Sequence, residues 1–245
     1  MSNILKRYRI FLKQNQDPLR AEKAKKYLYS DLVHYGIPTG KRRAHLKKYR
    51  SKLKNLSKKT ALELAQKFWD QDSFEEKSFA LEIVELHKQK MNKSDLTWIE
   101  KWARECKGWA LLDGFIIPVM PEILAKDKSA YKILEEWIKD DDFWIRRSAL
   151  LAQLLLFREG INKGSRNLFF RLAKSQFNED WIDKKYKNKL QNKRAKFFIR
   201  KAIGWTLREM SQKDPENVSK FLRENKDDMS GLSFREGSRK LEIKR

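Results

Sequence analysis

The segment Trp144-Ile-Arg-Arg-Ser-Ala-Leu-Leu151 decides the fold, because its pattern occurs three times along the chain. In each copy an aromatic residue and a charged turn precede a run of small and apolar residues. The other two copies are Phe74-Glu-Glu-Lys-Ser-Phe-Ala-Leu81 and Phe198-Ile-Arg-Lys-Ala-Ile-Gly-Trp205. Apolar residues at three- and four-residue spacing are typical of amphipathic helices. The pattern therefore predicts a helical repeat.

The intervals between these copies indicate a repeat of about 35 residues. Phe74 and Trp144 are 70 residues apart, and Cys106-Lys-Gly-Trp-Ala-Leu-Leu-Asp113 lies between them at the expected middle place. Helix pairs stacked at such an interval are typical of an α-solenoid of HEAT type. Trp144 and Phe198 are 54 residues apart. The surplus over one repeat predicts a basic insertion at about residues 175–196.

The composition supports an all-α fold. The 245 residues include only 9 Gly and 5 Pro, too few for the frequent turns of a barrel or sandwich. We predict one HEAT-like domain over residues 1–245, with helix breaks at short polar or proline-containing stretches, including Pro118 to Pro121. Residues 230–245 are expected to form a flexible tail.

The net charge of +23, from 56 Lys and Arg against 33 Asp and Glu, predicts a polyanionic partner. Eight basic residues and no acidic residue lie between Lys41 and Lys54, and a second basic run follows Asp183. Contacts of this kind reach phosphates in any sequence, so nucleic acid is the expected partner. The chain has no apolar run long enough for a membrane span and no apolar signal core at its start. We therefore expect no membrane association and a cytoplasmic location.

Familiar catalytic motifs are missing from the sequence. It contains no P-loop, GxGxxG, GxSxG or HExxH motif. One cysteine, Cys106, and three scattered histidines do not make a structural zinc cluster, so no metal is expected. The acidic run Asp140-Asp141-Asp142 is better explained as a helix N-cap than as a metal site.

Trp109 and Asp113 are the most informative candidates for chemistry. They are four residues apart, so they share one face of a helix. A single tryptophan at helical spacing is usually a core residue, but an unpaired buried carboxylate is costly and needs a reason. Arg147 and Trp205 occupy similar places in other candidate repeats.

Four phrases, in order along nearly the whole chain, carry a family resemblance. They are Tyr27 with Tyr35-Gly-Ile-Pro-Thr-Gly-Lys-Arg-Arg43, Lys107-Gly-Trp-Ala-Leu-Leu-Asp113, Phe143-Trp-Ile-Arg-Arg-Ser-Ala-Leu150, and Phe197-Phe-Ile-Arg-Lys-Ala-Ile-Gly-Trp-Thr-Leu-Arg-Glu209. Together they resemble the AlkD-like DNA alkylation repair family of HEAT-like DNA glycosylases.

The resemblance implies a right-handed α-solenoid with a basic concave face, acting as a monomer near the nucleoid. It implies a monofunctional glycosylase that excises cationic alkylated purines, 3-methyladenine and 7-methylguanine, from double-stranded DNA in base excision repair, without flipping the base. Trp109, Trp205 and Asp113 then face the deoxyribose of the lesion. Arg147 takes the place of a phosphate-binding arginine. The other implied DNA-binding residues are Tyr27, Thr39, Lys41, Arg42, Arg43, Arg146 and Lys201.

These residue types suit that reaction. An alkylated purine is already cationic, so its glycosidic bond is weak and the leaving base needs no general acid. Tryptophan faces stabilise cationic character by about 0.5 to 2 kcal/mol each. A fixed carboxylate stabilises the developing charge on the sugar and orients water, so no cofactor is required. No lysine stands out as a Schiff-base nucleophile.

Two other functions stay open at the level of sequence. The chain could be a non-catalytic HEAT-repeat protein that binds damaged or branched nucleic acid, since relatives of one fold can lose their catalytic residues. It could also be a protein–protein adaptor with an acidic partner. The retention of Trp109, Asp113 and Trp205 favours the enzyme over the first alternative, and binding to DNA or heparin would separate the second.

Overall fold

The computed structural model describes residues 2–106, 108–160 and 163–242. In these ranges the regular structure is helical, apart from one isolated parallel bridge between Val33 and Ser73. The all-α class is therefore confirmed. By its internal contacts the chain, predicted as a single domain, divides into two compact units. Unit 1 comprises residues 1–91 and 105–119, and unit 2 comprises residues 92–104 and 120–245.

Over the described residues, the first half of the chain forms eight α-helices. They are α1 (Ser2–Gln14), α2 (Pro18–Leu28), α3 (Thr39–Lys47), α4 (Arg50–Lys54), α5 (Lys58–Trp69), α6 (Phe74–Leu86), α7 (Leu96–Glu105) and α8 (Trp109–Lys126). Short 3-10 helices cover Lys88–Lys90 and Lys93–Asp95.

The second half continues after a 3-10 helix at Lys128–Tyr131. Its α-helices are α9 (Lys132–Trp137), α10 (Phe143–Leu151), α11 (Leu154–Glu159), α12 (Arg166–Lys174), α13 (Asp180–Lys185), α14 (Lys189–Ser211), α15 (Pro215–Glu224) and α16 (Gly231–Gly237). No helix in the described ranges is both long enough and apolar enough to cross a membrane.

Helices α5 and α6 show how the sequence builds unit 1. Each begins at a serine N-cap: Ser57 accepts the N–H of Thr60 at 3.1 Å, and Ser73 accepts that of Glu76 at 3.1 Å. On α5, Leu64 and Phe68 are almost fully buried at helical spacing, and this face packs against α6. Consecutive helices paired through one apolar stripe are what the repeat pattern requires.

Helix α8 overturns the predicted break at Pro118 to Pro121. The helix runs through both prolines without interruption, from Trp109 to Lys126. A proline inside a helix removes a hydrogen bond and crowds the preceding turn, which disfavours the helix by about 3 kcal/mol. Burial outweighs that cost here, because Phe115, Ile116 and Ile123 are all completely buried.

A buried carboxylate fixes the loop between α2 and α3. Glu75 on α6 is 2% exposed and accepts the backbone N–H groups of Tyr35 (3.1 Å), Gly36 (3.0 Å) and Ile37 (3.3 Å). Gly36 has a φ of +75°, and a Cβ there would lie 2.2 Å from the carbonyl oxygen of Asp17. Only glycine allows this close approach. Glu75 thus holds the chain that leads into α3.

Helix α14 organises unit 2. It packs against α10, α11, α13, α15 and α16. The third copy of the repeat pattern, from Phe198, lies in the interior of this 23-residue helix rather than at its start. Within the predicted insertion at about residues 175–196, α13 is followed by the first turns of α14.

The C-terminal stretch is not a flexible tail, which corrects the prediction for residues 230–245 over the part that is described, up to residue 242. Ser230 caps α16 by accepting the N–H of Ser233 at 3.0 Å. Phe234 is 2% exposed, and α16 packs on α14. The sequence missed this helix because its anchoring contacts come from residues far away in the chain.

The N-cap prediction for the acidic run before α10 is confirmed. Asp142 is the N-cap and accepts the N–H of Trp144 at 2.8 Å. Asp140 forms a bidentate ion pair with Arg104, with N–O distances of 2.5 Å and 3.1 Å. Asp141 pairs with Lys185 at 3.2 Å. Each acid of the run therefore has a structural partner.

Replacing Glu75 by alanine should lower the free energy of unfolding by about 3 kcal/mol or more, because three backbone N–H groups lose their acceptor in a buried site. Denaturant unfolding of the purified protein measures this. Glu63→Ala, at an exposed position of α5, is the matched control and should change stability by less than about 0.5 kcal/mol. Equal stabilities for the two variants would show that Glu75 does not hold the loop.

Candidate functional site

Unit 1 carries Trp109 and Asp113 on one face of α8. Trp109 is the first residue of the helix and is half-buried. Its indole Nε1 donates a long hydrogen bond of 3.4 Å to the backbone oxygen of Tyr27. The two aromatic rings meet edge to face, with centroids 5.6 Å apart and planes at 87°. Asp113 follows one turn later and is 7% exposed. The predicted pair is thus brought together on one helix, with Tyr27 against it.

Gly108 sets the position of Trp109. Its φ is +102°, and a Cβ would lie 2.3 Å from the carbonyl oxygen of Leu28 at the end of α2. A backbone atom cannot give way as a flexible side chain can, so this place is reserved for glycine. The close approach of the chain to α2 is what brings the Trp109 indole to the Tyr27 carbonyl. The only indication of this close approach in the sequence was a glycine next to a tryptophan.

Cys106 does not offer a nucleophile. The thiol is buried, and burial raises its pKa far above the ordinary range. The carboxylates of Asp113 and Glu105 raise this pKa further, and Lys77 acts in the opposite direction. A thiol that stays protonated at neutral pH is not reactive.

Unit 2 carries Trp205 on α14. The ring is half-buried, and its Nε1 donates to Oε1 of Glu209 at 3.2 Å, one turn later on the same helix. The other oxygen of Glu209 accepts Nε of Arg158 on α11 at 3.0 Å and Nε2 of Gln212 at 3.3 Å. The sequence analysis did not single out Glu209. Its spacing of four residues from Trp205 nevertheless indicates that the two side chains are neighbours on a helix.

Three of the predicted DNA-binding arginines are buried. Arg42, Arg146 and Arg147 are 7%, 9% and 3% exposed. Arg42 stands over the ring of Phe74, with 5.4 Å to its centroid. Arg147 donates to the backbone oxygen of Phe198 at 2.7 Å and stands over that residue's ring. The structure thus encloses these three side chains, and their contact with DNA stays a prediction.

Arg146 is a structural brace. Its Nε, Nη1 and Nη2 donate to the backbone oxygen of Asp140 (2.6 Å), the side chain of Gln176 (3.1 Å) and the backbone oxygen of Lys139 (3.2 Å). The guanidinium lies 3.5 Å from the ring centroid of Trp181. Burial lowers its pKa, against the pull of the nearby aspartates. Each nitrogen has a protein acceptor, so Arg146 belongs to the packing of unit 2, and a phosphate would have to compete with these bonds.

The other predicted contact residues have accessible side chains. Thr39, Lys41 and Arg43 are exposed on the first turns of α3, and Tyr27 is 69% exposed on α2. Lys201 on α14 is partly exposed and pairs with Glu236 at 2.8 Å. In unit 1, therefore, exposed basic side chains lie at the N-terminus of α3. The N-terminus of a helix also attracts anions.

Comparisons with known proteins identify the family of this chain. Residues 10–241 match the family model for "DNA alkylation repair enzyme". A solved structure from Enterococcus faecalis, described as a predicted DNA alkylation repair enzyme, is similar with a TM-score of 0.72 at 23% sequence identity. The match covers 94% of this chain and 98% of that one, and it shows a common fold. The comparison with curated proteins gave no match. Because the family model spans nearly the whole chain, this protein belongs to the DNA alkylation repair enzyme family, which assigns it to the repair of alkylation damage in DNA.

Proposed function

We propose that this protein is a monofunctional DNA glycosylase that hydrolyses the N-glycosidic bond of cationic alkylated purines, such as 3-methyladenine and 7-methylguanine, in double-stranded DNA. The observation that carries the proposal is the burial of Asp113 one turn from the half-buried indole of Trp109. A carboxylate held next to an aromatic ring, and largely shielded from water, can stabilise a cation that develops beside both.

In this reaction the main task of the protein is to stabilise charge electrostatically. As the bond from C1′ to the purine nitrogen breaks, its electron pair moves to the cationic base, which leaves neutral. The sugar becomes an oxocarbenium-like cation. Asp113 stabilises that positive charge and orients the water whose oxygen bonds to C1′, and the water then loses a proton. We propose Trp109 and Trp205 as the aromatic faces that stabilise the cation.

DNA binding is proposed to depend on contacts between basic side chains and phosphates. The exposed residues Thr39, Lys41 and Arg43, with Tyr27, are proposed to contact the DNA backbone from unit 1, and Lys201 from unit 2. Such contacts position the duplex without reading its sequence. We further propose that the protein acts as a monomer, that the damaged base stays stacked, and that no metal takes part.

Asp113→Asn should reduce base release by roughly 10² or more, because a preorganised charge is lost while the side-chain volume is kept. Release of free methylated base from alkylated duplex DNA, under single-turnover conditions with protein in excess, measures the effect. Asp31→Asn, an exposed aspartate in the same unit, is the control and should act like the wild type. Full activity of Asp113→Asn would refute the assignment of Asp113.

The basic segment before the middle of α14 provides a second test. Lys184, Lys189 and Lys193 are exposed, whereas Lys185 and Lys196 pair with acids. If the three exposed lysines contact phosphates, changing them together to glutamine should lower the salt slope of DNA binding by about 2 to 3. Base release at saturating protein should stay nearly constant, because backbone contacts do not read lesions.

The matched control for this variant has the same net charge. Changing the exposed lysines Lys213, Lys226 and Lys240 to glutamine removes three charges elsewhere in unit 2. Salt-dependent binding to undamaged and damaged duplexes is compared for both triple variants. Equal losses in the two variants would mean that only total charge matters and that the segment makes no specific contact.

A further inference from the structure

The carboxylate of Glu209 accepts a hydrogen bond from the indole of Trp205. Glu209 is 8% exposed, and its Oε1 accepts the indole N–H at 3.2 Å. Its Oε2 accepts Arg158 at 3.0 Å and Gln212 at 3.3 Å. Oε1 also lies 4.0 Å from Nε of Arg208. Both oxygens therefore have partners: Oε1 contacts the tryptophan and Arg208, and Oε2 contacts polar side chains that orient the carboxylate.

We propose that Glu209 is a positioning residue that acts through Trp205, an inference that rests on the proposed role of Trp205 in base release. An indole can turn over in its pocket by rotation about χ2. A hydrogen bond from Nε1 to a fixed acceptor selects one of the two ring orientations. Because Glu209 lies one turn further on the same helix, the two side chains are held by one rigid element.

The charge of Glu209 contributes a second effect. A negative acceptor on the N–H polarises the indole and makes its face more negative, which strengthens its attraction for a cation. A buried carboxylate without a partner would be costly, and Arg158 offsets that cost. The Arg158 side chain is 52% exposed, so this partner lies at the edge of the protein and contributes little to the core.

Other acid–base pairs of unit 2 show what a merely structural role looks like. Glu236 on α16 accepts Arg208 at 2.7 Å and so holds α16 on α14. Asp214, 9% exposed, accepts Arg166 at 2.6 Å and ties α12 to the turn before α15. Glu209 differs because one of its two oxygens accepts the N–H of a proposed catalytic ring.

A double-mutant cycle on the full chain tests the inference, with single-turnover release of methylated base from alkylated duplex DNA as the readout. Glu209→Ala should slow release about tenfold, the size expected for loss of a hydrogen bond to a charged group. In the Trp205→Phe background, which has no indole N–H, Glu209→Ala should cause no further loss. Glu209→Gln keeps an acceptor and should recover release to within about threefold of wild type.

Asp214→Ala is the matched control, since it removes a buried carboxylate paired with an arginine but leaves Trp205 untouched. It should lower thermal stability with little change in base release. If Glu209→Ala fails to fold, Arg158→Met replaces it, with an expected loss of about threefold that disappears in the Trp205→Phe background.

The outcomes separate this inference from the proposed function. If Glu209→Ala causes the same loss with and without the Trp205→Phe substitution, the positioning role is overturned while the glycosylase proposal stands. Full base release by Trp205→Phe alone would overturn the role of Trp205 and the inference with it. Absence of base release by the wild-type protein would refute the proposed function itself.

Discussion

The carboxylate of Glu75 is the constraint on which unit 1 depends. It gathers three backbone N–H groups of the loop before α3, in a place that water does not reach. In the same loop, the backbone oxygen of Tyr35 accepts the N–H of Asp17 at 2.8 Å. This hydrogen bond fixes the start of α2. A buried acceptor with several donors defines one geometry, because each lost bond leaves an unsatisfied group.

The effect of this constraint extends along α2 to the candidate site. Asp17 caps α2 by accepting the N–H of Arg20 at 3.0 Å, and Tyr29, which follows the last residue of the helix, is its C-cap in a left-handed conformation. The last turn presents the carbonyl of Leu28 to Gly108 and that of Tyr27 to Trp109. Thus the anchor on α6 helps to place the indole on α8, through the backbone of α2 and the ring of Tyr27.

The sequence was sufficient for the fold class and for the elements that depend on nearby residues. Asp142 as an N-cap, and Trp109 with Asp113 on one helix face, follow from spacings of a few residues. Burial does not follow from such spacings. The sequence could not distinguish Arg146, which is enclosed by acceptors from other segments, from Arg43, which is exposed. The uninterrupted α8 and the packed α16 were missed for the same reason, since apolar burial from distant segments decides both.

The two candidate catalytic tryptophans are anchored by different kinds of atom. Trp109 donates to a main-chain oxygen of Tyr27, and any residue at position 27 would supply that oxygen. Trp205 donates to the side chain of Glu209, which a single codon change can remove. A substitution at position 27 therefore keeps the acceptor of the Trp109 hydrogen bond. A substitution at position 209 can remove the acceptor of the Trp205 hydrogen bond. A substitution of the residue that supplies the acceptor should therefore disturb the ring of Trp205 but leave the acceptor of Trp109 in place.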